Sequence, residues 1–571
     1  MKRILVILTL LLPLMAHAQA NLKDSPKWLE TATFYQIYPS TYMDSDGNGI
    51  GDLPGIISKL DYVKSLGVNA IWLNPIFESG WFDGGYDVID FYKVDPRLGK
   101  NSDVVTLVNE AHKRGIKIIL DLVAGHTSDK CAWFKESSSA DGDLRYSDYY
   151  IWMDQIPEDE LKLVKERQAL PDRAYSTLGR YVETDAPRAK YYEKNYFECQ
   201  PALNYGFANP DPNHPWEQPV DAPGPKAVRR EMKNIMSFWF DKGVDGFRVD
   251  LAGRMVKNDP DQRETRKMWR EMREWLNAEY PENVIIAEWS NPAESVPAGF
   301  HIDFMMHWGV KGYETLFFDP GTPRWREGYD ESYFDLDGKG GVRKFTEAYA
   351  KLREATLDYG FVALPTANHD FQRMNILTRN TPEQLKVVMT FFLTMPGVPF
   401  ISYGDEIGMK YQMGLPSKEG SDSKRAGTRT PMQWENNETA GFSTCEPSQL
   451  YLPVCTDGGK ITVEMQDKDP ESMLNHVRGL IKMRSDYPAL SNCGDWKVIS
   501  NLDKPYPYVY SRSMGDQTCV VVLNPSAQKV TVDIPYLADK TLEPLVVTGK
   551  CKAKGSKITV GGVSSAVYLV K

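Results

Sequence analysis

The chain has 571 residues, of which 42% are hydrophobic, 25% charged and 12% aromatic. This is the balance of a folded globular protein, and it excludes a largely disordered chain. Lys and Arg number 67 against 77 Asp and Glu, so the net charge is −10. Nucleic acid is therefore a disfavoured partner, because phosphate binding needs clustered positive charge.

The first 18 residues have the pattern of a secretory signal peptide. Lys2 and Arg3 form a positive start, and the apolar run that follows is too short to span a bilayer. Ala16-His17-Ala18 is a small-x-small cleavage site. We therefore expect cleavage after Ala18, export to the periplasm or the medium, and no membrane attachment of the mature chain.

Between residue 70 and residue 406, short apolar runs alternate with amphipathic helical stretches. One helix is predicted over 227–241, where the apolar side chains recur at helical spacing. Another is predicted to begin at Thr381-Pro382, with Gln384 completing a capping box. Such alternation predicts parallel strands joined by crossover helices. The strand-like runs are 70–76, 115–123, 246–250, 283–288, 361–370 and 397–406.

Other segments depart from this alternation. Residues 128–215 are rich in Tyr, Asp, Pro and Ser and indicate a subdomain inserted after the third strand, while 407–465 is a long irregular stretch. From about residue 490 the chain has short strands without helices, which predicts an antiparallel β domain. The predicted division is a signal peptide (1–18), a barrel (19–127 and 216–489), an inserted subdomain B (128–215) and a C-terminal β domain (490–571).

Four of the apolar runs, 115–123, 246–250, 283–288 and 361–370, supply candidate catalytic acids. In a (β/α)8 barrel the active site is built where the strands end, so these acids would share one cleft. A single Asp in this position is usually a helix N-cap, but four acids accompanied by Arg and His are hard to explain as caps. The acids are Asp121, Asp250, Glu288 and Asp370, and the accompanying side chains are His126, Arg248 and His369.

Paired carboxylates on adjacent strands suit cleavage of a glycosidic bond. A retaining enzyme needs the two groups roughly 5–5.5 Å apart, and adjacent strands are about 4.8 Å apart. Arg248 lies two residues before Asp250 and would keep it ionised. Glu288 must instead be protonated, and the negative charges of Asp250 and Asp370 would raise its pKa.

These motifs, in this order, resemble those of the α-amylase superfamily of glycoside hydrolases. The resemblance is closest to the branch of oligo-1,6-glucosidases, α-glucosidases and trehalose synthases, and it runs from about Phe34 to the C-terminus. It rests also on "FYQIYPSTYMDSDGNGIGDLPGI", on "RTPMQW" (429–434) and on "AGFS" (440–443). It implies a (β/α)8 TIM barrel, with a subdomain inserted after strand 3 and a C-terminal antiparallel β-sandwich.

The resemblance also implies roles for individual residues. Asp250 would be the nucleophile, Glu288 the general acid/base, and Asp370 the third acid, which grips the substrate and stabilises the transition state. The residues expected to bind the sugar in the cleavage subsite are His126, Arg248 and His369.

Two further motifs concern the shape of the pocket. By the same resemblance, "GGYDVIDF" supplies Tyr86 as a stacking platform and Asp87 as a ligand of a sugar hydroxyl. Arg373 would pair with Asp87 and close the pocket at the non-reducing end. Leu251 follows the nucleophile, where Val accompanies α-1,6 cleavage and Ala or Thr α-1,4 cleavage in the family, so the linkage preference stays open.

A second predicted site lies near the N-terminus of the mature chain. Oxygen ligands recur at alternate positions, and hard divalent cations prefer such oxygen cages. In the resembling branch this loop binds calcium or, in some members, magnesium. The alternative is an Asp/Gly turn that binds no metal. We expect a structural Ca²⁺, or Mg²⁺ in its place, remote from the chemistry. The predicted ligands are Asp44, Asp46, Asn48, the backbone carbonyl of Ile50, and Asp52.

The expected activity is retaining hydrolysis of α-glucosidic bonds in malto- or isomalto-oligosaccharides or starch-derived glucans, through a covalent glucosyl-enzyme. One alternative is a trehalose synthase or other α-glucosyl transferase with the same active site, favoured by "LYLPV" at 450–454. A non-catalytic carbohydrate-binding relative is disfavoured, because all three acids are present. A metal-dependent hydrolase is also disfavoured, because the eight His form no H-x-H or H-E-x-x-H motif.

Overall fold

A computed structural model describes residues 25–140, 144–317, 331–419 and 425–571. The predicted signal peptide at 1–18 lies outside the described residues. Within those ranges, no helix is both long enough and apolar enough to cross a membrane.

Eight parallel strands close into a barrel at the centre of the molecule. Their order around the barrel follows their order in the chain, and the first strand pairs with the last. Their side chains are almost entirely buried. The (β/α)8 barrel predicted above is therefore confirmed. The strands are β1 (Phe34–Ile37), β2 (Ala70–Leu73), β3 (Lys117–Leu122), β4 (Gly246–Val249), β5 (Val284–Ala287), β6 (Ile302–Phe304), β7 (Phe361–Pro365) and β8 (Val398–Ser402).

Helices surround the barrel and keep it closed to water. The helix predicted over 227–241 spans Pro223–Phe240 and buries its apolar face. The predicted capping box is also present: Thr381 Oγ1 accepts a hydrogen bond from the Gln384 backbone N–H at 3.4 Å. The other helices of the barrel and its loops are Leu53–Ser58, Leu60–Leu66, Asn101–Lys113, Arg263–Glu279, Pro292–Ser295, Glu314–Phe317, Arg343–Thr356, Pro382–Thr394, Val463–Asp467 and Met473–Asp486.

The segment between β3 and β4 forms a small subdomain over the carboxyl end of the barrel. It contains helices Ala132–Ser137 and Glu158–Gln168 and a three-stranded antiparallel sheet. It joins the barrel directly, because the Leu203 N–H donates to the carbonyl of Gly125 at 3.0 Å. The strands of this sheet are Trp152–Met153, Tyr181–Glu183 and Tyr191–Glu193, and a separate hairpin, Phe77–Ser79 with Val88–Val94, follows β2.

The C-terminal part of the chain forms two antiparallel sheets, as predicted. Buried Arg512 ties them to the barrel by donating to the carbonyls of Ser491 at 2.6 Å and Asp495 at 3.1 Å, and to that of Thr394 in a barrel helix. The five-stranded sheet contains Asp495–Val498, Tyr508–Met514, Gln517–Asn524, Leu542–Thr548 and Ser564–Val570; the three-stranded sheet contains Val530–Asp533, Cys551–Lys554 and Lys557–Val560.

Candidate active site

The barrel register brings the central acids together. Asp121 on β3 is the register partner of Arg248 on β4. The next residues continue the ladder beyond the strands: the Asp250 N–H donates to Leu122 at 3.0 Å, and the Glu288 N–H donates to Val249 at 2.9 Å. Asp250 and Glu288 therefore leave two neighbouring strands at the same level, which is what a shared reaction centre needs.

One guanidinium group binds three carboxylates at this level. Arg248 Nη1 lies 2.8 Å from Asp121 Oδ1 and 2.9 Å from Asp250 Oδ1, and Nη2 lies 2.8 Å from Glu288 Oε2. All four side chains are at most 10% exposed. The Leu251 backbone N–H also donates to Glu288 Oε2 at 3.0 Å. Asp250 and Glu288 are thus held by the two terminal nitrogens of one guanidinium group.

The third acid, Asp370, enters from the loop after β7 and is held by two other arginines. Its Oδ1 lies 3.1 Å from Arg425 Nε and 3.4 Å from Arg429 Nη2, and its Oδ2 lies 3.2 Å from His369 Nε2. Arg425 also reaches Asp83, Nη1 to Oδ1, at 3.1 Å. The long segment after β8 therefore supplies the cations of this side of the site.

These groups open into a cavity of about 310 Å³ at the carboxyl end of the barrel. All three predicted catalytic acids line it, together with Tyr86 and His126. Tyr86 is fixed through its hydroxyl, which is 3.0 Å from Asp121 Oδ2 and 2.8 Å from His369 Nε2. The remaining lining residues are Asp83, Tyr196, Gln200, Leu251, Arg254, His307, Trp308 and Arg425.

Burial separates the pKa values of the two central carboxyls. Burial raises the pKa of Asp250 to about 6, although Arg248 and a hydrogen bond from Glu288 lower it. Burial raises the pKa of Glu288 to about 8, and the charges of Asp250 and Asp370 add to that shift. Near pH 7 Asp250 is therefore ionised and Glu288 protonated, which are the states required of a nucleophile and an acid.

Burial keeps His126 and His369, the two histidines predicted to bind the sugar, neutral. Burial lowers the pKa of His126 to about 4, and it lowers the pKa of His369 well below its usual value. His126 Nε2 is 2.8 Å from the carbonyl of Tyr86, and Nδ1 is 2.8 Å from Asn195 Nδ2. Each ring is thus positioned by neighbouring residues and adds no charge to the pocket.

Two expectations about the end of the pocket are wrong. Asp87 faces away from the cavity: it is buried, and its Oδ1 accepts from Ser79 Oγ at 3.0 Å and from the Phe82 N–H at 3.1 Å. Arg373 is fully buried and bonds Asp405 at 3.0 Å and the carbonyl of Tyr403 at 2.6 Å. Both side chains bond to loops of the barrel, and neither is among the residues that line the cavity.

An Asp–Arg pair does line the cavity, but it is formed by Asp83, from the same turn as Asp87, and Arg425, from the segment after β8. Asp83 and Arg425 line the cavity and bond each other, and Gln200 Nε2 donates to Asp83 Oδ2 at 3.0 Å. Asp83 and Asp87 lie in the same turn, and both have glycine and aromatic residues close by in the sequence. The sequence shows Asp83 directly before Gly84-Gly85 and Arg425 within the irregular stretch 407–465, but the sequence-based predictions gave neither residue a role.

The structure also folds the predicted metal ligands into one loop. The carboxylate oxygens of Asp44, Asp46 and Asp52 lie within 4.8 Å of one another. Backbone N–H groups line the loop: the Gly49 N–H donates to Asp44 Oδ2 at 2.7 Å, and the Ile50 N–H donates to Asn48 Oδ1 at 2.8 Å. The loop needs glycine at position 49, since its φ is +89° and a Cβ would meet the Gln449 carbonyl at 2.2 Å.

Comparison with known proteins identifies the family. The sequence model of the family described as the α-amylase catalytic domain matches residues 36–493. The chain belongs to the α-amylase family. An oligo-1,6-glucosidase from Parageobacillus thermoglucosidasius is 31% identical, over 91% of this chain and 94% of the relative. A trehalose synthase/amylase from Mycolicibacterium smegmatis is 32% identical, over 83% of this chain and 79% of the relative.

Solved structures of the family have the same architecture. The crystal structure of trehalose-6-phosphate hydrolase from Bacillus licheniformis matches with a TM-score of 0.77 and 26% identity, covering 96% of this chain and 100% of that one. The trehalulose synthase from Pseudomonas mesoacidophila MX-45 matches with a TM-score of 0.76 and 26% identity, over 95% and 99% of the two chains. The α-amylase-family fold therefore extends over nearly all of this protein.

The separated pKa values predict a bell-shaped pH profile for kcat/KM. Activity should fall below about pH 6, as Asp250 gains a proton, and above about pH 8, as Glu288 loses one. Measuring kcat/KM between pH 4 and 10 checks this. With a 2,4-dinitrophenyl α-glucoside, whose leaving group needs no proton, the pH profile of kcat/KM should keep its fall at acid pH and lose its fall at basic pH. A basic limb of equal size for that substrate would contradict the assignment of Glu288.

Proposed function

We propose that this α-amylase-family glycosidase is a retaining α-glucosidase that removes glucose from the non-reducing end of short α-glucans. The observation that carries the proposal is one buried guanidinium, Arg248, which contacts Asp250 at 2.9 Å and Glu288 at 2.8 Å. The relatives include oligo-1,6-glucosidases, and this supports a glucosidase activity on oligosaccharides.

In the first step, a carboxylate oxygen of Asp250 attacks the anomeric carbon of the bound glucosyl unit. The bond from that carbon to the glycosidic oxygen breaks, and the leaving oxygen takes the proton of Glu288. In the second step, Glu288, now ionised, takes a proton from water as the water oxygen attacks the same carbon. The ester bond to Asp250 breaks, which restores both carboxyls to their starting states.

The other residues bind and orient the sugar. Asp370, held by Arg425, Arg429 and His369, presents acceptor oxygens to hydroxyls of the glucosyl unit. The Asp83–Arg425 pair lines the cavity, and we assign it the role of closing the pocket beyond the terminal sugar. A pocket closed at this end admits a chain terminus but not the middle of a polymer, which supports exo-action.

Substitution of the central acids tests the catalytic proposal. Asp250→Asn and Glu288→Gln should each lower kcat for maltose and isomaltose by on the order of 10³-fold or more, because each removes a group that acts in the transition state. Asp61→Asn, at an exposed aspartate, is the matched control and should leave kcat unchanged. Comparable residual turnover by Asp250→Asn and Asp61→Asn would contradict the proposal.

Transfer of the glucosyl group to a sugar acceptor is the second candidate. Relatives of about equal identity include trehalose synthases, and the two activities share every step up to the covalent intermediate. The products of the same maltose incubation decide between them. Hydrolysis yields glucose alone, whereas transfer yields trehalose or longer oligosaccharides from the unaltered enzyme.

We also propose a structural calcium ion in the loop that contains Asp44, Asp46 and Asp52. Three clustered carboxylates and two glycine turns suit a hard cation. Asp44 is tied to Ser443 in the segment after β8, so an ion there would stabilise the packing of that segment on the barrel. Magnesium is the alternative occupant, and export of the protein stays a prediction from the sequence.

Chelation tests the metal proposal without reference to activity. EDTA should lower the thermal unfolding midpoint, and Ca²⁺ should restore it, because an ion at 100 times its Kd contributes about 2.7 kcal/mol to the folded state. Asp46→Asn keeps the acceptor that Asp46 offers to the Asn48 N–H but removes one charge. This variant should respond less to both additions. Equal midpoints with EDTA and with Ca²⁺ would contradict the site.

A further inference from the structure

A second, larger cavity lies in the subdomain inserted between β3 and β4. Its volume is about 840 Å³, compared with about 310 Å³ for the catalytic pocket, and the two share no lining residue among those described. The volume lies within the range of roughly 300–1,000 Å³ that is typical of ligand sites. Nothing in the catalytic scheme uses this cavity.

The floor of this cavity is rigid. Trp152 stacks on Phe134 with ring centroids 5.2 Å apart and planes at 16°, and its Nε1 donates to Ser137 Oγ at 2.9 Å. The Tyr150 hydroxyl lies 2.7 Å from Thr127 Oγ1. Both aromatic residues are therefore fixed from behind while they line the cavity, which lowers the entropy cost of binding a ligand there.

A partly exposed indole forms part of the cavity wall. Trp216 lines the cavity and stacks on His214, with centroids 4.6 Å apart and planes at 17°. Large aromatic faces of this kind contribute much of the burial energy at binding sites. The ring of a sugar has an apolar face of similar width, bordered by hydroxyl groups, which such a wall can cover.

The polar side chains around this wall both donate and accept hydrogen bonds. Arg188 and Asp148 lie 3.6 Å apart at the rim, and Asp154, Asn213 and Gln218 complete it. Because the rim carries two carboxylates and one guanidinium, it disfavours an anionic ligand. Amide, carboxylate and guanidinium groups around an aromatic wall match a neutral molecule with many hydroxyls, each of which donates and accepts.

We propose that this cavity is a non-catalytic binding site for a neutral α-glucan oligosaccharide. The identity of the ligand rests on the proposed function, since a chain held here belongs to the substrate class of the catalytic pocket. The two regions are linked through Tyr150, which lines this cavity and bonds Thr127, the residue after His126 of the catalytic pocket, at 2.7 Å. Retention of a glucan chain in this cavity would raise its effective concentration at the catalytic pocket.

Paired tryptophan substitutions test the site. Trp216→Ala should raise KM for a long maltodextrin by about fivefold to tenfold, while KM for p-nitrophenyl α-glucoside and kcat for both substrates change less than about twofold. Trp275→Ala removes a half-exposed tryptophan of the helix Arg263–Glu279 and is the matched control, expected to change neither KM. Equal effects of the two substitutions, or of Trp216→Ala on both substrates, would overturn the proposal.

Direct titration gives an independent readout. In the Asp250→Asn background, calorimetry with maltohexaose should resolve two binding events, of which Trp216→Ala removes one and Trp275→Ala neither. A single event with or without Trp216 would overturn the proposal. If Trp216→Ala lowers the melting temperature, Arg188→Ala, at the rim, replaces it in both experiments. If Asp250→Asn still turns over maltose, the proposed catalytic function fails. The KM comparison of Trp216→Ala with Trp275→Ala in the otherwise unaltered chain tests this site independently of that result.

Discussion

The site depends on one buried positive charge. Arg248 lies inside the barrel, where an isolated ion would be strongly destabilised, and its two terminal nitrogens contact Asp121, Asp250 and Glu288. The charges are mutually necessary: without Arg248 the carboxylates would repel one another in a medium of low dielectric, and without them the guanidinium would lack partners. The β3–β4 register fixes this arrangement before any substrate binds.

From this centre outwards, charges alternate through the pocket. Asp370 faces Arg425 and Arg429, and Arg425 continues to Asp83. Asp250 and Asp370 both line the cavity. Their negative charges suit an oxocarbenium-like transition state, whose sugar ring gains positive charge as the glycosidic bond breaks.

The barrel and the central acids could be predicted because strand ends constrain side chains strongly. Asp250 and Glu288 directly follow the apolar strands β4 and β5, so the register alone brings them together. Strand β6 was missed, since it has only three residues, Ile302–Phe304, and one of them is the buried Asp303. The carboxylate of Asp303 accepts hydrogen bonds from the backbone N–H groups of Trp289, Ser290 and Asn291. No periodicity in the sequence reveals these partners.

The end of the pocket could not be predicted, because loops have no such periodicity. Asp83 and Asp87 are four residues apart in one turn, and only the three-dimensional path of that turn decides which faces the cavity. The same holds for Arg425, which comes from a long irregular segment far along the chain. Long-range pairing of loop residues is the part of this site that sequence patterns do not encode.

The anomeric form of the first product tests the central claim most directly, namely that Asp250 and Glu288 are close enough for a covalent intermediate. Proton NMR during the first minutes of maltose hydrolysis, before mutarotation, distinguishes the two anomers of the glucose released from the non-reducing unit. Retention through a glucosyl-enzyme ester predicts α-glucose. Accumulation of β-glucose first would show direct attack by water across a wider gap, and it would contradict the account of the site.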